Sequence, residues 1–354
     1  LVNLVAHPLA PYGWNERVQA RVRAAADPRL PPGRVARVDR GALTAITASG
    51  TVRLASRGID VTTGDWVLLS GAAEPAVAAV LPRWSALARH DAGRAGDTQL
   101  LAANVDTGFV VVGLDRGLNV SRLDRLLTII WSSGATPVVV LAKADLVPAP
   151  AAVVSEAERV TVGVEVVEAS SLSGEGIDRL RELLPPGETG VVIGESGAGK
   201  SSLVNALIGA DVQAIGGVRG DFKGRHTTRA RELVPLPGGG VLLDTPGIRG
   251  VALTAGQEGG LEHTFADVLE RAATCRFADC GHEVEPGCAV QAAVAAGELD
   301  PVRVSSFHEL RREVATAARR AEARTGRTAP KRQDRQDRLV PPLPDERRRD
   351  PDWS

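Results

Sequence analysis

Apolar and polar positions change rhythm twice along this chain of 354 residues. From Gly33 to about Leu81 they alternate in short runs, RVARV, ALTAIT, TVRLAS and DWVLL, broken by Gly and Asp. Period-two alternation marks strands with one buried face, and a succession of short strands predicts a small Greek-key β-barrel. From Asn104 the apolar runs become continuous. NVDTGFVVVGL and PVVVLAKAD read as buried strands, and between them SRLDRLLTIIW carries its apolar residues at helical spacing. Strands alternating with helices predict an α/β domain. Past about Ala255 the pattern turns helical. The expected organisation is an N-terminal arm over 1–30, a barrel over 31–84, an α/β domain over 85–255, a helical domain over 256–330 and a disordered tail over 331–354 with its PP and RRR runs.

The chemistry sits in the α/β domain. GESGAGKS, Gly194 to Ser201, follows the strand-like run VVI and precedes SSLVNALIG, which has helical spacing. A glycine-rich turn between strand and helix can wrap a phosphate chain with its backbone N–H groups. Gly194, Glu195, Ser196, Gly197, Ala198 and Gly199 form this turn; Lys200 supplies a point charge for the β and γ phosphates, and Ser201, with Ser202 behind it, a hydroxyl for Mg²⁺. DTPG follows the apolar run VLL, so Asp244 can hold the Mg²⁺ shell through water and Gly247 can offer its N–H to a γ-phosphate. Between the two lies GRHTT, where Thr228, or its neighbour Thr227, can ligate Mg²⁺ while the γ-phosphate is present.

The base is read upstream. In PVVVLAKAD the strand ends at Ala142, Lys143, Ala144 and Asp145, similar to the guanine-reading N-K-x-D motif, in which the Asp carboxylate accepts two hydrogen bonds from guanine. EASSLSGEG, with Ser170 and Ser171, resembles the serine-rich loop that backs the base. Of the chain's four lysines, two fall in these motifs, although the chain otherwise uses Arg.

The segments therefore run base motif, base loop, phosphate loop, switch threonine, DTPG. Ordinary Ras-like GTPases begin with the phosphate loop, so this order is a circular permutation. With GRVARVDRG, GDWVLL, AANVDTGFVVVGL, LDRLL, AKADL, GESGAGKSSLVNAL, GRHTT and DTPGIR, the chain resembles the small ribosomal subunit biogenesis GTPase family of bacteria from about Gly33 to about Arg320. The resemblance implies an OB-fold for the barrel and GTP hydrolysis in late maturation of the small subunit. It also implies a zinc subdomain and His226 of GRHTT as the group that orients the attacking water. Two positions depart from the usual patterns. Ala142 stands where the base motif has Asn, and Ile248 follows DTPG where Ras-like enzymes carry a water-positioning Gln. Other readings of the same motifs are a P-loop ATPase or kinase, and an RNA-binding module with a weakly hydrolytic switch.

All three cysteines fall in one window with a histidine: Cys275, Cys280, His282 and Cys288. Three thiolates and an imidazole can close a tetrahedral Zn²⁺ site of the structural kind, whereas three cysteines leave one unpaired in any disulfide scheme. The net charge of −1 gives no whole-chain support for nucleic-acid binding. Residues 311–332, with eight basic positions against two acidic, are the candidate for rRNA phosphate contact. Neither an 18-residue apolar span nor a signal peptide is evident, so the chain is expected in the cytoplasm; a monomer is expected as well.

Overall fold

A computed structural model describes residues 7–56, 58–71, 74–90, 98–147, 150–209, 232–244, 253 and 258–328. Helix α1 (Glu16–Arg23) precedes the strands β1 (Pro32–Asp39), β2 (Ala42–Thr47), β3 (Gly50–Ala55), β4 (Trp66–Ser70) and β5 (Ala76–Val80). These five form an antiparallel sheet in the order β3-β2-β1-β4-β5, with the two edges, β3 and β5, brought back into contact. Alternation explains the curl, because every second residue goes inside. Val35, Leu43, Ala45, Leu54, Val67 and Leu69 make one small core. Their sequence neighbours Ala36, Ile46, Trp66 and Leu68 join the main core on the other side. Trp66 is buried, edge-on to Trp14 at 5.6 Å, so it is a core residue and not a stacking platform. The stretch expected as an N-terminal arm carries α1, whose Val18, with Leu9 and Trp14 before it, is buried.

A hairpin of β6 (Ala86–His90) and β7 (Thr98–Ala103) leads to the larger sheet. Its elements are β8 (Thr107–Gly113), α2 (Val120–Ser133), β9 (Thr136–Ala142), α3 (Ala151–Val160), β10 (Glu165–Ala169), α4 (Ile177–Glu182), β11 (Thr189–Gly194), α5 (Lys200–Ile208), β12 (Glu232–Pro235) and β13 (Val241–Asp244). The order is β10-β9-β8-β11-β13-β12, parallel except for β12. Both faces are covered, which is why the strands read as unbroken apolar runs. In β8, Phe109 and Val111 point into the core beneath α4 and α5, while Val110 points into the core shared with α2. The chain runs outward from β8 to β10, then returns to place β11 on the far side of β8. The crevice beyond the C-terminal ends of β8 and β11 is the point where strand order reverses, the usual ligand position in such sheets.

The C-terminal part consists of α6 (Glu258–Thr264), α7 (Ala266–Ala272), α8 (Ala289–Ala295) and the long α9 (Pro301–Thr328). In α9, Val304, Phe307, Leu310 and Val314 recur at helical spacing and are buried in the main core. No described helix is long and apolar enough to cross a membrane.

Two buried arginines join the parts. Arg34 of β1 donates to Tyr12 O (2.5 Å) and to Thr189 Oγ1 at the start of β11 (2.7 Å), linking arm, barrel and larger sheet. Burial pulls its guanidinium down to about 10, against the pull of Asp106 and Asp65. Arg303 of α9 bonds Asp267 of α7 in a fork (2.7 and 2.9 Å), Asp124 of α2 (2.7 Å) and the carbonyl of Thr264.

Candidate nucleotide and metal sites

The phosphate loop crosses from β11 to α5 and depends on backbone shapes that side chains forbid. Gly194 has φ +143°, and a Cβ there would lie 2.3 Å from Val111 O of the neighbouring strand. Only glycine fits both the dihedral and the approach. Gly197 and Gly199 also have positive φ, and Gly199 caps α5 without a side-chain partner, leaving the helix's positive end turned to the loop. Lys200 curls its ammonium back over the loop, donating to Gly194 O at 2.9 Å and to Glu195 O. Ser201 and Ser202, in the first turn of α5, are both exposed. Glu195 pairs with Arg122 of α2 at 2.8 Å, and Arg116 donates to Ser196 O at 3.0 Å. A pocket of about 170 Å³ opens beside the loop, lined among others by Gly113, Arg116, Asn119, Arg122, Glu195 and Ala198.

The base motif lies at the adjoining strand end. Ala142 ends β9, Lys143 follows in the left-handed conformation (φ +64°), and Ala144, Asp145 and Leu146 form a single 3-10 turn. Lys143 Nζ bonds Asp115 Oδ2 at 2.7 Å. Ser170, fully buried, donates its hydroxyl to Asp145 Oδ1 (2.6 Å) and accepts the N–H groups of Leu172 and Ser173 on its own oxygen. That hydroxyl therefore fixes both the Asp145 carboxylate and the turn of the serine-rich loop, with Ser171 half-buried beside it. Base motif, serine loop and phosphate loop converge on one end of the sheet. A Cβ at Gly199 would sit 3.6 Å from the Cβ of Ala142.

His226, Thr227, Thr228, Gly247 and Ile248 lie outside the described residues, as does the side chain of Asp244; the backbone of Asp244 closes β13, next to β11.

In the C-terminal part the ligand atoms of Cys275, Cys280, His282 and Cys288 all lie within 4.8 Å of one another. Cys275 Sγ is 3.9 Å from Cys288 Sγ and 3.5 Å from His282 Nδ1, and Cys288 Sγ is 3.7 Å from that nitrogen. Tetrahedral Zn²⁺ bonds of about 2.3 Å to sulfur and 2.0–2.1 Å to nitrogen give edges of roughly 3.8 Å (S to S) and 3.5 Å (S to N), so the donor set fits zinc. His282 takes a left-handed φ of +61° to face inward through Nδ1. Backbone N–H groups of Ala289 and Gln291, at the start of α8, donate to the sulfurs of Cys275 and Cys288 respectively, orienting both toward the cluster. Glu285 ties the loop by accepting from the N–H groups of Gly281, Glu283 and Val284, and such bonds hold its carboxyl down at about 2.

Comparison with known proteins follows the same lines. The sequence model of the RsgA GTPase family matches residues 80–254. The small ribosomal subunit biogenesis GTPase RsgA of Streptomyces avermitilis is 45% identical over 331 residues, covering 90% of this chain and 89% of its own. That of Opitutus terrae is 41% identical over 336 residues, covering 89% and 92%. The chain belongs to the RsgA GTPase family. Among solved structures, YjeQ from Thermotoga maritima superposes with a TM-score of 0.61 over 80% of this chain and 98% of its own, at 24% identity. YloQ, described as a circularly permuted GTPase, gives 0.58 over 81% and 96%, at 22% identity. The fold is that of a circularly permuted GTPase with an α/β core, and as an RsgA GTPase the chain is a hydrolase acting on GTP.

The base motif, the serine-rich loop and the phosphate loop found in the sequence lie at one end of the sheet, but several contacts around them were not foreseen: Asp115 on Lys143, Arg116 and Arg122 on the phosphate loop, and the Asp124–Arg303–Asp267 network. Asp124 carried a signal, a carboxylate beside the apolar stripe Leu123, Leu127 and Ile130 of α2. The others join residues too distant in sequence for any periodicity to reveal.

Proposed function

We propose that this chain binds GTP with Mg²⁺, docks on a maturing small ribosomal subunit and leaves after hydrolysis. The subunit assignment rests on the names of relatives that match nearly the whole chain. In this reading Asp145, oriented by Ser170, accepts from guanine, the stem of Lys143 flanks the base, and Ser171 backs it. The N–H groups of residues 194–199 cradle the phosphates, and Lys200 neutralises charge as water attacks the γ-phosphorus. Ser201 and Thr228, or Thr227, would hold Mg²⁺ directly and Asp244 through water; the ion supplies charge neutralisation on the phosphate oxygens. Gly247 reports the γ-phosphate, and His226 orients the water in place of the Gln that Ile248 replaces. The curled five-stranded sheet is read as an OB-fold, the Cys/His cluster as a structural Zn²⁺ site, and exposed Arg311, Arg312, Arg319 and Arg320 of α9 as part of an rRNA-facing surface. A cytoplasmic monomer is the setting this implies.

The observation that carries the guanine assignment is the Ser170–Asp145 contact, which aims an acceptor at the strand end where the phosphate loop also opens. Asp145→Asn replaces an acceptor with a donor facing guanine N1. GTP affinity is expected to fall by about 100-fold or more, with xanthosine triphosphate binding gained, because a donor then faces a donor and both are left unpaired against the base. Titration with both nucleotides decides it, and unchanged GTP affinity removes Asp145 from the base site. His226→Ala, in turn, is expected to retain GTP and subunit binding while losing most of the subunit-stimulated hydrolysis, an effect of about 10²–10⁴-fold for a positioned acid–base group. Stimulation equal to the parent's in a stopped-flow phosphate-release assay would exclude the histidine from that role.

A further inference from the structure

The base loop and the phosphate loop must keep a fixed distance for one nucleotide to span both, and in this chain the usual amide between them is absent, Ala142 offering only a methyl group. Its Cβ faces Gly199, which has no side chain; even a Cβ added there would reach only van der Waals distance, 3.6 Å. Yet Lys143 is held in the left-handed region, which a non-glycine residue keeps only when its surroundings hold it there. Its carbonyl accepts from Leu146 N–H within the base loop (3.0 Å), while its side chain is held from outside both loops. The 3-10 turn Leu114–Arg116, directly after β8, lies between them and grips each with a successive side chain. Asp115 takes the Lys143 ammonium at 2.7 Å, and Arg116 donates to the carbonyl of Ser196 at 3.0 Å. The Arg116 guanidinium also lies against Gly197, where a Cβ would come within 2.6 Å of it. Asp115 and Lys143 are both about a quarter exposed, so water screens their pairing only in part. The Lys143 hydrogen bond accordingly holds the Asp115 carboxyl below the usual range.

We infer that the Leu114–Arg116 turn is the clasp that joins the base loop to the phosphate loop in this chain, in place of the amide missing at Ala142, and that Asp115 is the positioning residue that sets Lys143 for guanine nucleotide. The inference rests on the reading of these two loops given above. Asp115 touches no reacting atom, so it acts on nucleotide retention and leaves the chemical step alone.

The test is a double-mutant cycle on the full chain, with fluorescent GDP and GTP as probes and steady-state turnover alongside. Asp115→Ala is expected to weaken GDP and GTP binding about tenfold, with faster release, while kcat at saturating GTP stays within about twofold, the size of effect typical of one coupled contact. Ala142→Asn alone is expected to change affinity by less than about threefold, but in the Asp115→Ala background it restores affinity to within about twofold of the parent, because the amide resumes the tie. Asp115→Asn, which keeps the side chain's size, is expected to lose about threefold and carries the test if the alanine variant does not fold. Parental affinity in Asp115→Ala or Asp115→Asn, or a loss of the same size with and without the asparagine at 142, overturns the clasp while leaving the nucleotide site standing. A parent chain that binds no guanine nucleotide overturns both.

Discussion

Arg303→Met is expected to cost about 3–5 kcal/mol of stability, the range for breaking a buried charge network by removing one partner. Arg303 is 2% exposed and Asp124 is fully buried, and one guanidinium serves two carboxylates, Asp124 on α2 and Asp267 on α7. It also lies over the Phe265 ring at 5.0 Å, so methionine keeps much of the packing but none of the charge. An exposed pair gives the scale: Arg179 with Glu165 is half exposed, and its removal is expected to cost about 0–1 kcal/mol. The deficit depends on pH. Burial pushes the Asp124 carboxyl up to about 7, with Asp267 adding to the push and Arg303 opposing it. A carboxyl raised above its unfolded value of about 3.9 binds its proton more readily in the folded state, so its contribution to stability declines as pH rises from there through the folded value. Removing Arg303 raises Asp124 further, and the deficit of the variant is therefore larger at pH 8 than at pH 5. Urea unfolding at both pH values measures this. A loss below about 1 kcal/mol, or one that shrinks as pH rises, contradicts the network as described.

Loss of the metal is the second large effect. Protein never exposed to chelator is expected to carry one equivalent of Zn²⁺, and Cys288→Ser to lose it. Cys288 is buried and stands at the N-cap of α8, while Cys275 and Cys280 belong to the loop after α7, so one ion ties that loop to the helix. Structural Zn²⁺ sites in small domains contribute about 10–16 kcal/mol to folding of the bound form. Without the ion, the segment around 275–295 is expected to lose its cooperative transition and its amide protection, while GDP affinity holds, because the nucleotide loops lie on β9 and β11. Elemental analysis and hydrogen exchange read the two parts. Less than half an equivalent of zinc in the parent, or unchanged protection in Cys288→Ser, contradicts the assignment.

What could be read from the sequence divides along physical lines. Strands β8, β9 and β11 stood out because a parallel sheet covered on both faces needs continuous apolar runs. The phosphate loop stood out because Gly194 and its neighbours answer to backbone constraints that no other residue meets. The Cys/His cluster was visible because its four residues fall within fourteen positions. Helix α1 was not, since eight residues give too few turns to establish a period. Contacts such as Asp124 with Arg303, 179 positions apart, exist only once the helices have packed. Asp115 looked like any loop carboxylate until the turn after β8 placed it beside Lys143. The substitution at Ala142 was legible as a departure; the residue that occupies its place between the loops was not.

The central claim is that this chain is a guanine-specific hydrolase whose turnover answers to the small ribosomal subunit. Its most direct test is phosphate release from GTP and from ATP, each with and without purified small subunits. The expected result is slow turnover of GTP alone, a rise of about 10-fold or more when small subunits are added, and no comparable turnover of ATP in either condition. Hydrolysis of ATP at the rate of GTP, or GTP turnover indifferent to the subunit, would contradict it.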